Sequence, residues 1–243
     1  MYKLAFQTLK KNIALFGFLV GLLVVMEQFF EINAGVQFVM GASLALFSHR
    51  MILLDENYGA ADLFKRSGPS GQKPPMLSFF LVSGIGFVVF LLLLGVTFYL
   101  LFHVVFGANL DDKAQLAGAL YISIIPAAGG YGIVLSLIGT VFPAVAIGAD
   151  RGLKIAFQRG ELRFWKTLGR LAIGPFALSL LGLVGLVSFA GYLELAGFDI
   201  SRALVDIPLS VLAYSINFGS LLLGVTALSM AYQEAEIILD DRD

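Results

Sequence analysis

The chain contains no cysteine, only two histidines and one tryptophan, and charged residues fill just 14% of its 243 positions. Without cysteine there is no disulfide framework, no thiolate nucleophile, no iron–sulfur cluster and no cysteine-ligated zinc. Soluble domains carry about 25% charged residues, so this chain has too little charge to cover a water-facing surface. Neither sign is in excess: sixteen basic and seventeen acidic residues leave a formal net charge of −1, which gives no global pull toward nucleic acid. The His-Glu-x-x-His of metalloproteases, the Gly-Lys-Ser/Thr of Walker loops and the Gly-x-Ser-x-Gly elbow are all missing. No enzymatic activity, cofactor or resident metal is expected.

What fills the chain is apolar: 58% of its residues are hydrophobic, with a mean hydropathy of +0.89. A helix crossing a hydrocarbon core of ~30 Å needs about 20 mostly apolar residues. Six runs of that kind occur, at about 13–30, 35–54, 77–106, 116–148, 171–198 and 209–232. The pattern predicts an all-α, polytopic membrane protein with a single membrane domain. Residues 55–76, with Gly68-Pro69, Gly71 and Pro74-Pro75, are expected to form an aqueous loop. Residues 149–170 form a basic segment and 233–243 an acidic tail. The first run is full length and leads straight into a second, so it is expected to stay as an uncleaved anchor.

Orientation follows from the lysines and arginines, which cytoplasmic loops retain. With the amino terminus inside, the inner segments hold Lys3, Lys10 and Lys11, then Arg50, Lys65, Arg66 and Lys73, then Arg151, Lys154, Arg159, Arg163, Lys166 and Arg170, and finally Arg242. Only Lys113 and Arg202 fall outside. An error of one span would destroy this partition, so the charges support six spans independently of hydropathy. The expected location is a bacterial cytoplasmic (inner) membrane, with both termini cytoplasmic.

Between spans four and five, helical spacing gathers Leu153, Phe157, Phe164 and Leu168 in one arc and Arg159, Arg163, Lys166 and Arg170 on the opposite side. This predicts an amphipathic helix lying at the headgroup level, with Trp165 nearby. Each basic residue close to an anionic leaflet contributes about 1 kcal/mol. Arg151, Lys154, Arg159, Arg163, Trp165, Lys166 and Arg170 are therefore candidate contacts for anionic lipid or for a protein partner in a larger membrane complex, although a topology-setting inner loop explains the same charges. The run Ala156-Phe157-Gln158-Arg159-Gly160, followed by Phe164-Trp165, resembles the corresponding loop of a group of six-span bacterial membrane proteins. That group includes the membrane domain fused to some glycerophosphodiester phosphodiesterases. The resemblance implies the six-span fold; the soluble phosphodiesterase domain is absent, so its activity does not transfer.

Three further features call for placement. Leu4-Ala5-Phe6-Gln7 before span one is echoed by Ile155-Ala156-Phe157-Gln158 before span five, and Ile52-Leu53-Leu54-Asp55-Glu56 by Ile237-Ile238-Leu239-Asp240-Asp241. A parallel duplication of two hairpins and chance similarity both fit. Glu27, His103 and Glu194 all fall near the outer ends of their spans, where they could bind a metal or pass a proton, or simply reach the water boundary. His49 and Arg50 close span two; Asp55 or Glu56 could pair with Arg50, and interfacial anchoring would account for all four.

Span four, at 33 residues, would reach roughly 50 Å as one straight helix, so it must tilt, bend or project. Pro126, Gly129, Gly130 and Gly132 offer one breaking point and Pro143 another. Two functions follow. In the first, a non-enzymatic membrane protein uses its basic cytoplasmic face on anionic lipid or a partner, in membrane assembly or envelope maintenance. In the second, a small transporter or lipid-handling protein works through the broken span four.

Overall fold

The computed structural model describes residues 1–30, 34–59, 68–69, 71–105, 113–149, 152–198 and 203–241. Among these residues the fold is all-α, without strands. The helices are α1 (Tyr2–Lys11), α2 (Ile13–Phe30), α3 (Ala34–Leu53), α4 (Met76–Tyr99), α5 (Lys113–Ile138), α6 (Val141–Ile147), α7 (Leu153–Leu171), α8 (Ala177–Leu195) and α9 (Ala203–Asp240). π-helical turns extend α4 over Leu100–Val105 and join α7 to α8 over Ala172–Phe176. Six helices are long and apolar enough to cross a membrane: α2, α3, α4 with its extension, α5, α7 running into α8, and α9. The molecule is a polytopic helical bundle.

α9 is the axis of the bundle. Its 38 residues span roughly 57 Å at about 1.5 Å per residue, and it packs against α1, α2, α3, α6, α7 and α8. Leu15, Phe16, Leu19 and Leu23 of α2, Leu44 and Phe47 of α3, and Tyr214, Phe218 and Leu222 of α9 form the largest core. A second core joins Leu46, Phe79, Val141, Val145 and Ala156, which brings α3, α4, α6 and α7 together. By contrast, α4 buries only Phe79 and α8 buries no side chain. Lipid tails are as apolar as leucine, so such faces need no protein cover.

Span four bends, as its length requires, but not at the first of the expected breaking points. The helix continues unbroken through Pro126, Gly129, Gly130 and Gly132, and the chain turns instead at Gly139-Thr140 before α6. A proline inside a membrane helix is tolerated when a neighbour serves the freed backbone. The carbonyl that Pro126 frees is that of Ile122, and beside it the Thr97 hydroxyl of α4 lies 3.2 Å from the Ser123 carbonyl, where α4 and α5 meet. The turn is set at the other end: the Thr140 hydroxyl donates to the Ala156 carbonyl at 3.1 Å, and Gly139 packs so closely on Leu228 that a Cβ would lie 2.8 Å from its side chain. Gly148, at φ +75°, then ends α6 in the left-handed conformation that glycine adopts freely.

Two other boundaries differ from expectation. α7 passes into α8 without a loop, the only irregularity being the π turn around Pro175, whose missing N–H breaks the regular bonding. The Pro175 carbonyl accepts a hydrogen bond from the Ser220 hydroxyl of α9 at 2.9 Å. The acidic tail expected from residue 233 is helical to Asp240 and belongs to α9. Both described chain ends lie at the same end of the bundle, since His49 near the end of α3 meets Ser229 of α9 while Asn12, just before α2, meets Tyr58. That end is called the termini end below.

Candidate functional site

Three polar systems and one cavity sit in the half of the bundle nearest the termini end. The first system starts with Asp55, whose φ of +50° is a left-handed conformation that aspartate tolerates better than most residues. That turn sends the chain back beneath α3. Glu56 then receives two hydrogen bonds from Arg50, Nε to Oε2 at 2.8 Å and Nη2 to Oε1 at 2.7 Å. Tyr58 donates its hydroxyl to Glu56 and accepts from Arg50 Nε at 3.2 Å, while Arg50 Nη1 donates to the Ala146 carbonyl of α6 at 3.0 Å. The Tyr58 amide donates to Asn12 Oδ1 at 2.7 Å. Burial, reinforced by the bond to Glu56, holds the Tyr58 phenol well above the usual tyrosine range, so it stays a proton donor.

Arg50 is 1% exposed and the Glu56 side chain 2%. Interfacial anchoring, which keeps a charged head in water, therefore does not describe this pair; Lys11 and Asp55, joined at 2.8 Å near the surface, do fit it. Likewise, residues 54–59 do not behave as open aqueous loop, because Glu56 and Tyr58 are buried. The network ties α3, α6 and the α1–α2 junction together. It is a structural clamp.

The second system is the basic side of α7. Glu234 of α9 accepts from Lys166 Nζ at 2.8 Å and Arg170 Nη2 at 2.6 Å, with Arg163 Nε 3.5 Å away. Arg159, buried, pairs with Glu236 and lies 4.8 Å over the Tyr232 ring. The basic residues thus face a partner inside the molecule. Lys154 is exposed, and Arg151 lies outside the described residues. On the side away from α9, Leu153, Phe157 and Trp165 are exposed, Trp165 by 80%, while Leu168 turns inward toward Gly132 of α5.

Glu234→Gln is expected to leave three cations around a neutral amide and weaken the α7–α9 contact by roughly 1.5–3 kcal/mol, the range for hydrogen bonds to charged groups. Hydrogen exchange of the α7 amides should accelerate. Unchanged protection across α7 would show that Glu234 does not hold it.

The third feature is a cavity of about 710 Å³ enclosed by α3, α4, α5, the α7–α8 junction and α9. Its walls are almost wholly apolar, including Phe38, Phe87, Phe90, Phe142, Leu171 and Val225. Glycines make the room. Gly41 and Gly129 line it, and a Cβ at either position would meet nothing within 4 Å. Gly132 also lines it, whereas Gly130 faces Leu93 of α4. The glycines that suggested a broken helix therefore serve as cavity wall and helix contact. α6 closes the termini end through Phe142. Toward the opposite end, α4 packs on α5 and α8 on α9, which leaves the wall between these pairs open.

Few polar groups reach this cavity. Ser179 and Ser220 bond one another at 2.6 Å, and Ser220 is already committed to Pro175. Ser83 and Tyr131 line the wall, and His49 stands near the floor with Nδ1 2.8 Å from the Ser229 hydroxyl. The third polar system is this histidine and its serine. The sequence locates His49 but not its burial, although a signal is there: a histidine four residues inside the end of α3, beside an arginine with a carboxylate six residues on.

The outer polar cluster does not assemble. Glu27 receives the Tyr214 hydroxyl, the His103 ring lies tilted against Tyr99 at 4.8 Å between centroids, and Glu194 is exposed in the last turn of α8. Among the described residues no group of three or more histidine, aspartate or glutamate side chains could hold a metal ion. Comparison of the whole chain with protein-family models, curated proteins and solved structures gives no match.

Proposed function

We propose that this protein is a non-enzymatic lipid-handling component of the bacterial cytoplasmic membrane that holds one lipid molecule within the bilayer, in the cavity between α3, α4, α5, α8 and α9. The observation that carries this reading is the cavity itself: about 710 Å³, apolar, level with membrane-spanning helices and open on one side. Ligand sites run from about 300 to 1,000 Å³, with apolar walls and a few placed polar groups. A void of this size, lined by glycines that other residues could fill, is an expensive feature to keep empty. The distribution of lysine and arginine supports an orientation with both chain ends cytoplasmic, which sets the cavity in the inner leaflet.

The basic face of α7 supports a lipid-engaging role less strongly, because Glu234 and Glu236 already take up four of its cations. Its exposed ridge of Leu153, Phe157 and Trp165 suits an amphipathic helix resting at the headgroup level beside the cavity. The transport alternative relied on a helix broken at Pro126, and α5 is continuous there.

Gly129→Leu tests the proposal with little risk to the fold, since its side chain enters open space. Native mass spectrometry of protein released from membranes in mild detergent is expected to show one bound lipid on the wild type. The variant should carry at least fivefold less at unchanged thermal stability. Equal lipid loading of the two proteins, or none on the wild type, would count against the reading.

A further inference from the structure

Of the polar side chains that line the cavity, with Ser83, Tyr131, Ser179 and Ser220, His49 is the one at its floor. His49 is 1% exposed, lines the floor, and uses Nδ1 for the Ser229 hydroxyl at 2.8 Å. Among the described residues no hydrogen bond joins Nε2, and the ring lies edge-on to Phe79 at 6.0 Å between centroids. The tautomer follows from Ser229. Its hydroxyl is fully buried and has no acceptor among the described residues other than His49. A buried hydroxyl without an acceptor carries a penalty, so Ser229 donates to Nδ1. The proton of the neutral imidazole is then on Nε2, which leaves His49 with an uncommitted hydrogen-bond donor on a side chain that lines the cavity.

The surroundings decide what that donor can receive. Among the described residues no lysine or arginine lines the cavity. Arg50, the next residue, is bound to Glu56, Tyr58 and the Ala146 carbonyl beyond the wall. An anionic group at His49 would lose its hydration with no cation to replace it. A bulky headgroup cannot pass below, because α6 and Phe142 close that end. The occupant must have a small, uncharged polar end that accepts one hydrogen bond, and a long apolar body to run between Phe38, Phe87 and Phe90.

We propose that the cavity is a binding site for an uncharged carbonyl lipid, whose carbonyl oxygen accepts the Nε2 hydrogen bond of His49 while its chain fills the space walled by α3, α4 and α5. Both the ester of a neutral acylglycerol and the ring carbonyl of a quinone have this chemistry. The inference rests on the lipid-holding function above and narrows its ligand class.

The test exploits the chain's having only two histidines, His49 and His103. Protein labelled with ¹⁵N-histidine in detergent micelles is titrated separately with 1,2-dioctanoylglycerol, a short-chain benzoquinone, hexadecane and dioctanoyl phosphatidylglycerol. A fluorescent fatty-chain probe reports occupancy of the cavity. Both hexadecane and a carbonyl lipid should displace the probe. Only the carbonyl lipid should shift the His49 Nε2–H resonance, leaving that of His103 in place. Which of the two carbonyl probes gives the larger shift identifies the source.

His49→Phe is expected to bind the responding carbonyl lipid about tenfold more weakly while binding hexadecane as before. His49→Gln, which retains a donor, should recover part of that loss and guards against misfolding of the phenylalanine variant. If the carbonyl lipid and hexadecane displace the probe but neither moves the His49 resonance, or if His49→Phe binds both unchanged, the donor role is overturned and the lipid-holding function stands. Tighter binding of the phosphatidylglycerol probe than of both carbonyl probes would also overturn it. If nothing displaces the probe from wild-type protein, both readings fail together.

Discussion

Replacing Arg50 with methionine is expected to destabilise the folded protein by about 3–5 kcal/mol, the range for removing one partner of a buried ion pair. The side chain is almost fully buried and its guanidinium donates to Glu56, Tyr58 and the Ala146 carbonyl. Methionine fills much of the same space, but it leaves the Glu56 carboxylate enclosed without its cation. Glu56→Gln should produce a loss of the same order by stranding the arginine. Pairing Arg50→Met with Glu56→Leu should cost well below the sum of the two single changes, because neither charge is then left alone. Lys11→Ala, which breaks the exposed pair to Asp55, should change stability by less than about 1 kcal/mol. Thermal unfolding in a fixed detergent ranks these variants, with Glu56→Leu alone included to complete the cycle. A single variant at Arg50 as stable as the Lys11 variant would refute the clamp.

Gly160→Ala should be still more damaging for the size of the change. An added Cβ would lie 1.9 Å from the Leu137 carbonyl oxygen and 2.5 Å from its carbon, where α7 crosses the end of α5. Both obstacles are backbone, so no rotamer change can relieve them, and the helices must separate. Overpacking of a tight site typically costs about 1–3 kcal/mol, and more when the neighbour cannot yield. Separation here would also disturb the Thr140 bond to Ala156 and the core around Val141 and Val145. Loss of the monodisperse peak in size-exclusion chromatography is the expected result. Gly169→Ala, on the same helix with nothing within 4 Å, is the control. It should leave the protein intact and stabilise it by up to about 1 kcal/mol through helix propensity. Equal behaviour of the two variants would mean that the α5–α7 approach is looser than described.

The same crossing shows how far sequence reading could reach. The Arg159-Gly160 pair is legible as part of the basic segment, yet its sequence carries no sign of what each residue meets. In the fold the pair divides its labour: Arg159 turns to Glu236 and Tyr232, and Gly160 lets the α5 backbone approach. The possible duplication fares similarly. Ala5 and Ala156 are both buried while Phe6 and Phe157 are both exposed, so the matched tetrapeptides occupy alike settings. Their continuations differ, since Asn12 interrupts the chain before α2 whereas α7 runs directly into α8.

Span four illustrates why local signals mislead. Its excess length required a bend, and proline and glycine are the usual places for one. The bend falls at Gly139-Thr140, where contacts with Leu228 and Ala156 from distant parts of the chain decide the matter. At Pro126 the helix continues, with α4 packed alongside it and the Thr97 hydroxyl near the Ser123 carbonyl.

The sequence by itself determined the fold class and the number of spans, because hydrophobic length and the absence of charge in the spans are local properties that the bilayer reads directly. It also placed most of the positive charge on one side of those spans. Only the tertiary structure decided what that charge meets. Pairing depends on which residues approach across the bundle, and Lys166 and Arg170 lie more than sixty residues from the Glu234 that binds them. The cavity is likewise invisible in any one segment, since it exists where five elements fail to close around Gly41, Gly129 and Gly132. Scarcity of charge marked this chain as a membrane protein; the packing of its few remaining polar groups brought His49 to the floor of that cavity.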